Sequence, residues 1–201
     1  PTGSGKTTTL YSMLRMVQDE GVNNVTVEDP VEYRLGLIRQ TQVNPKAGIT
    51  FATGLRSILR QDPDVILVGE MRDFETIETA LTAAETGHLV MSTLHTLNAT
   101  ETITRIISVF PPYHQKQVRL QLAAVLKGVV SQRLVPRADG MGRVPAVEVL
   151  VSTARVRECI VEKDKTGEIN DAISKGQTAY GMQTFDQSLM YLMKLNLITY
   201  E

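Results

Sequence analysis

Three short β-rich apolar runs, each followed at once by side chains able to do chemistry, constrain this chain more than any other feature. "NNVTVEDPVE" carries Val25-Thr26-Val27 into Glu28, Asp29 and Glu32. "DPDVILVGEMRD" carries Val65-Ile66-Leu67-Val68 through Gly69 into Glu70, Arg72 and Asp73, and "GHLVMSTLHT" carries Leu89-Val90-Met91 into Ser92, Thr93, His95 and Thr96. Unbroken runs of this kind suit strands buried on both faces, as in a parallel sheet covered by helices. The stretches "TTTLYSMLRMVQDE", "TFATGLRSILRQ" and "DFETIETALTAAETG" read as those helices. In an open parallel sheet, ligands bind outside the carboxyl ends of the strands. An acid after one strand is commonly a helix cap or a solvated turn, but three such strand ends in one chain point to a site.

The opening "PTGSGKTTTLY" supplies a ligand for it. Gly5, Lys6 and Thr7 match the last three positions of Gly-x-x-x-x-Gly-Lys-Ser/Thr, and the helical "TTTLYSML" follows directly. In that motif backbone N–H groups encircle a phosphate and the helix aims its positive end at the same point. The expected phosphate cradle is therefore Thr2, Gly3, Ser4, Gly5, Lys6, Thr7 and Thr8, with Lys6 along the β- and γ-phosphates and the Thr7 hydroxyl helping to hold Mg²⁺ of a bound ATP. The pattern's first glycine would precede Pro1, so the chain reads as a fragment of a longer one. The expected fold is α/β: a P-loop (RecA-like) core with a mostly parallel sheet over residues 1–150, then a small helical part over 151–201.

Phosphoryl transfer depends on positioning and charge neutralisation. Glu70, at the end of a buried strand, is placed to fix magnesium through a water molecule or to orient the attacking water, and Gly69 lets the backbone come close to a ligand. Glu32 is a second candidate for the water-activating base, and Glu28 and Asp29 compete with it. His88 and His95 lie a strand's length apart. His95, at the carboxyl end, is the better γ-phosphate sensor; His88 is either a second sensor or a structural histidine of the turn "TGHL". Arg56, Arg60 and Arg72 are interface or sensor groups, or members of surface ion pairs.

Composition narrows the class. With 42% apolar residues in 201, the chain can bury one substantial core, and it contains no apolar run of membrane-spanning length. The formal charge of −1 gives no global pull toward nucleic acid. A nucleic-acid translocase would interleave basic residues with aromatics, which make up only 5% here. A lone cysteine, Cys159, excludes an internal disulfide and a four-cysteine zinc site, and reads as a small buried residue on a helix.

Beyond the third run, Val118, Leu120, Leu122, Val125, Leu126 and Val129 follow helical spacing. Val147 and Val149 flank Glu148 in an alternation that suggests a hairpin at the sheet's edge. Thr153 onward reads as several short helices, and the Met-rich face of "GMQTFDQSLMYLMKLNLI" as helix packing or a surface for a neighbouring subunit.

Taken together, these residues resemble the PilT/GspE family of type IV pilus and type II secretion motor ATPases. "PTGSGKTTTLY" is similar to its Walker A box, "VTVEDPVEY" to its Asp box, "ILRQDPDVILVGEMRD" to its Walker B and "TAAETGHLVMSTLHT" to its His box. The resemblance implies that Glu70 assists magnesium, that Glu32 polarises water, and that His88 and His95 belong to a nucleotide-sensing box. It also implies a hexameric ring, an N-terminal domain contributing arginines, and work at the inner face of the bacterial cytoplasmic membrane on a pilus or secretion platform protein. Absence of the export-type zinc insertion favours retraction, whereas "QTQVNPKAGITFATGLRSILRQDPD" resembles the assembly and secretion branch.

Overall fold

The computed structural model describes residues 3–200. The chain forms two compact units, Thr7–Leu94 and a second one made of residues up to Lys6 with those from His95 onward.

The Thr7–Leu94 unit is built on β1 (Asn24–Glu28), β2 (Ile38–Gln42), β3 (Val65–Val68) and β4 (Leu89–Ser92), an all-parallel sheet in the order β2-β1-β3-β4. Helices α1 (Lys6–Met16), α2 (Phe51–Ile58) and α3 (Phe74–Glu85) accompany it. Val25, Val27, Ile66 and Val68 pack with Leu55 and Ile58 of α2 and with Ala80 and Ala83 of α3. The alternate residues Val65, Leu67 and Met91 pack with Tyr11 and Leu14 of α1. Coverage of both faces is why the β3 run does not alternate. On β1 the other set, Asn24, Thr26 and Glu28, is polar and still buried.

Strand β2 has no counterpart among the expected elements. Its sequence "IRQTQ" buries only Ile38 because it is an edge strand with partly exposed neighbours. Polar edge strands avoid pairing with other chains and leave little hydrophobic signal.

The second unit contains α4 (Ala99–Ser108), α5 (Gln115–Val125), β5 (Gly128–Pro136), β6 (Arg143–Val151), α6 (Ala154–Val161), α7 (Ile169–Lys175), α8 (Gln177–Tyr180) and α9 (Phe185–Lys194). Strands β5 and β6 pair antiparallel from Gly128↔Val151 to Pro136↔Arg143. A hairpin is present, but as a two-stranded sheet of its own rather than at the edge of the parallel one, and the helical spacing that reached Val129 overran the helix. Helix α5 ends at Val125, Leu126 turns to ψ 128, and the β-branched Val129 and Val130 enter the ladder. Nor do the compact units part at residue 150: Val147 N–H donates to Ser188 Oγ at 3.0 Å and Val149 bridges Gln183, so the hairpin and the C-terminal helices form one body. Cys159 is fully buried on α6, and burial pushes its thiol pKa up. Among the described residues no helix is long and apolar enough to cross a membrane.

Candidate active site

The phosphate-loop sequence takes a backbone that only glycine adopts freely: Gly3 and Gly5 have φ of 72° and 86°. Helix α1 starts at Lys6 with no acidic residue in its first turn, so no carboxylate of its own offsets its positive end. The Ser4 carbonyl accepts a 2.5 Å hydrogen bond from Gln132 Nε2. Thr2, expected in the cradle, lies outside the described residues.

At the end of β1, Glu28 is buried at 4% exposure. Its Oε2 accepts the Tyr11 hydroxyl proton, and its Oε1 accepts from Thr26 Oγ1 at 2.5 Å and Gln40 Nε2 at 3.2 Å. Both oxygens are thus committed to the interior. Glu28, expected to compete for the water-activating role, ties β1, β2 and α1 together through these bonds. Burial, then the hydrogen bond to Glu28, pushes the Tyr11 pKa up to about 12. The same hydroxyl accepts the Glu32 N–H at 3.4 Å, and Tyr33 packs edge-on against the Tyr11 ring. Glu32 and Asp29 are themselves exposed.

At the end of β3 the ladder continues past the strand. Gly69 N–H donates to Val27 O at 2.8 Å, Thr93 Oγ1 to Gly69 O at 2.6 Å, and Met71 N–H to Thr93 O at 3.1 Å. Glu70 is therefore held by bonds on both sides of it. A Cβ on Gly69 would stand 3.3 Å from Glu28 Cα and Val27 O, so the close approach that demands glycine here is to β1. The Glu70 side chain, 15% exposed, meets the 73% exposed Arg72 at 2.5 Å. Arg72 is held charged first by that hydrogen bond, with Asp29 adding its field. Asp29, Glu70 and Arg72 thus share one corner of the sheet's carboxyl end. Arg56 pairs with Glu75 across the surface of α2 and α3, and Asp73 caps α3 through Thr76 N–H at 2.8 Å.

His88 sits at the amino end of β4, opposite the end where Glu70 lies. Its Nδ1 is 2.9 Å from Ala83 O and 3.1 Å from Thr86 Oγ1, which suits a lock on the turn that ends α3. His95 follows β4 on its carboxyl side and belongs, with Lys6, to the other unit. Three residues further on Asn98 caps α4, and the buried Glu148 accepts the Ala99 N–H at 2.7 Å and the Ser131 hydroxyl at 3.2 Å. Glu148 and Gln132 escaped the sequence reading; their only signal is a polar residue inside a β-rich run.

The donor chemistry suits magnesium. Mg²⁺ prefers oxygen and is usually held by one or two protein ligands plus substrate phosphates, and Thr7 and Glu70 are oxygen donors. Among the described residues no group of three or more His, Cys, Asp and Glu side chains could form an all-protein metal cage.

The profile of a family described as "Type II/IV secretion system protein" matches residues 1–190. The "Twitching motility protein" of Neisseria gonorrhoeae is 47% identical over 100% of this chain and 54% of its own length. A crystal structure of the pilus retraction motor PilT with bound ADP superimposes with a TM-score of 0.88 at 46% identity, covering 100% of this chain and 57% of that one. "Type II secretion system protein E" of Pseudomonas aeruginosa is 55% identical, but over 67% of this chain and 26% of its own length. The chain spans about half the length of the twitching relative and of the retraction motor.

Proposed function

Since the chain belongs to the Type II/IV secretion system protein family, we propose that it is the ATP-hydrolysing part of a hexameric motor that retracts type IV pili. The observation that carries this reading is the rigid Glu70 at the carboxyl end of a buried parallel strand, in a chain whose glycine-bearing loop runs straight into α1.

In this reading the backbone N–H groups of Gly3 to Thr8 and the Lys6 ammonium bind the triphosphate. Thr7 and Glu70 are the residues that hold Mg²⁺, which neutralises phosphate charge when bound. Glu32 orients the attacking water and accepts its proton, its backbone pinned by Tyr11 and its carboxylate exposed. Asp29 helps draw Arg72 to the mouth of the site, and His95 senses the γ-phosphate. His88 serves as the turn lock its contacts describe. The motor works at the inner face of the cytoplasmic membrane on a platform protein, without nucleic acid.

Similarity along the whole of this chain to a twitching motility protein and to a pilus retraction motor favours retraction over assembly or secretion. The higher identity to a secretion protein, confined to two thirds of the chain, favours the second reading. Complementation separates them. Expression of the whole protein in a strain lacking its own retraction motor is expected to restore twitching; restored secretion with no twitching would assign it to the export branch.

A further inference from the structure

Gln132 lies in the middle of β5, 128 residues from the phosphate loop in sequence, yet it holds that loop's backbone. Its amide Nε2 donates to Ser4 O at 2.5 Å and stands 2.7 Å from where a Cβ on Gly5 would be. Ser4 is only 4% exposed, so its carbonyl needs a protein donor.

The planarity of the peptide bond gives this contact a consequence. The Ser4 carbonyl and the Gly5 N–H belong to one rigid unit and point in opposite directions. A donor that fixes the carbonyl on one side aims the N–H at the other. Glycine at position 5, with φ of 86°, offers no Cβ to resist rotation of that unit, so its orientation must be imposed from outside. We propose that Gln132 is a positioning residue for nucleotide binding, turning the Ser4–Gly5 peptide so that the Gly5 N–H faces a phosphate. Its neighbour Ser131 bonds Glu148, which holds the start of α4, so β5 is itself anchored at this point.

The inference rests on the reading of this loop as a phosphate site, and the test separates the two. ADP affinity is measured by calorimetry on the whole protein, wild type beside Gln132→Ala, Gln132→Met and Gln132→Glu, with unfolding midpoints to show that each variant folds. Loss of one neutral hydrogen bond predicts about three- to tenfold weaker ADP binding for Ala and Met. The glutamate variant adds a readout that mere packing would not move. Ionised, it sets acceptor against acceptor and binds more weakly than Ala; protonated, it donates again, so as pH falls its affinity overtakes that of Ala. Ala and Met variants within twofold of wild type, or a glutamate variant that never overtakes Ala, would overturn the role of Gln132 and leave the phosphate site standing. A wild-type protein that binds no ADP would overturn both.

Discussion

Glu28 and Glu70 end adjacent strands of one sheet, close enough that a side chain on Gly69 would press against Glu28 Cα. Glu28 spends both oxygens on Tyr11, Thr26 and Gln40 in the interior. The peptides on either side of Glu70 are fixed by backbone hydrogen bonds, and its carboxylate meets an exposed arginine. A carboxylate with both oxygens engaged by donors of the protein is a structural tie; one held rigidly beside an exposed, displaceable partner is ready for a ligand. Position after a strand does not separate the two roles. Partners do.

Substitutions can break that contrast in turn. The largest effect is expected from Glu70→Gln: steady-state ATP turnover falls by about 10²–10³-fold, the range for losing one preorganised electrostatic group, with the unfolding midpoint kept. Glu28→Leu does the opposite. It leaves the hydroxyls of Tyr11 and Thr26 without their acceptor and the Gln40 amide with Tyr33 O alone, and is expected to cost about 2–4 kcal/mol in urea unfolding, with turnover per folded molecule far less affected than by Glu70→Gln.

Tyr11→Phe removes one arm of the same network, and about 1 kcal/mol is expected. This contribution has a pH signature. The Tyr11 pKa is raised in the folded state, so its stabilisation is fully present below the ordinary tyrosine value near 10 and is lost as pH rises through about 12. The stability gap between wild type and Tyr11→Phe should therefore close across that window, and a gap that widened there would refute the assignment. The smallest effect belongs to Arg72→Ala. At 73% exposure its pair with Glu70 is screened by water, and the unfolding midpoint is expected to stay where it is; a clear drop would show that Glu70 depends on Arg72 for its place.

Much of the sheet was legible because β1 and β3 lie between helices and are buried on both faces, and because β4, an edge strand with Leu89 exposed, still keeps an apolar run. Strand β2 was not, since its edge position makes "IRQTQ" mostly polar. Strand β5 was hidden because its first valines continue the spacing of α5 by coincidence. Glu28 could not be told from Glu70 because Tyr11 and Gln40, which settle its role, stand 17 and 12 residues away. Glu148 and Gln132 were harder still: their backbone partners lie 49 and 128 residues off, at distances where no local pattern reports contact. The glycine-bearing loop before α1 was the easiest feature to read, since its pattern is local and needs glycine at fixed positions.

The central claim is that Thr7, Glu32 and Glu70 serve one nucleotide. A crystal structure of the whole protein with magnesium and a non-hydrolysable ATP analogue tests it most directly. The account predicts the Thr7 hydroxyl at the metal beside the terminal phosphates, with the Glu70 and Glu32 carboxylates each reaching the metal or the attacking water directly or through one water molecule. A bound triphosphate with either carboxylate turned away from it would contradict the account.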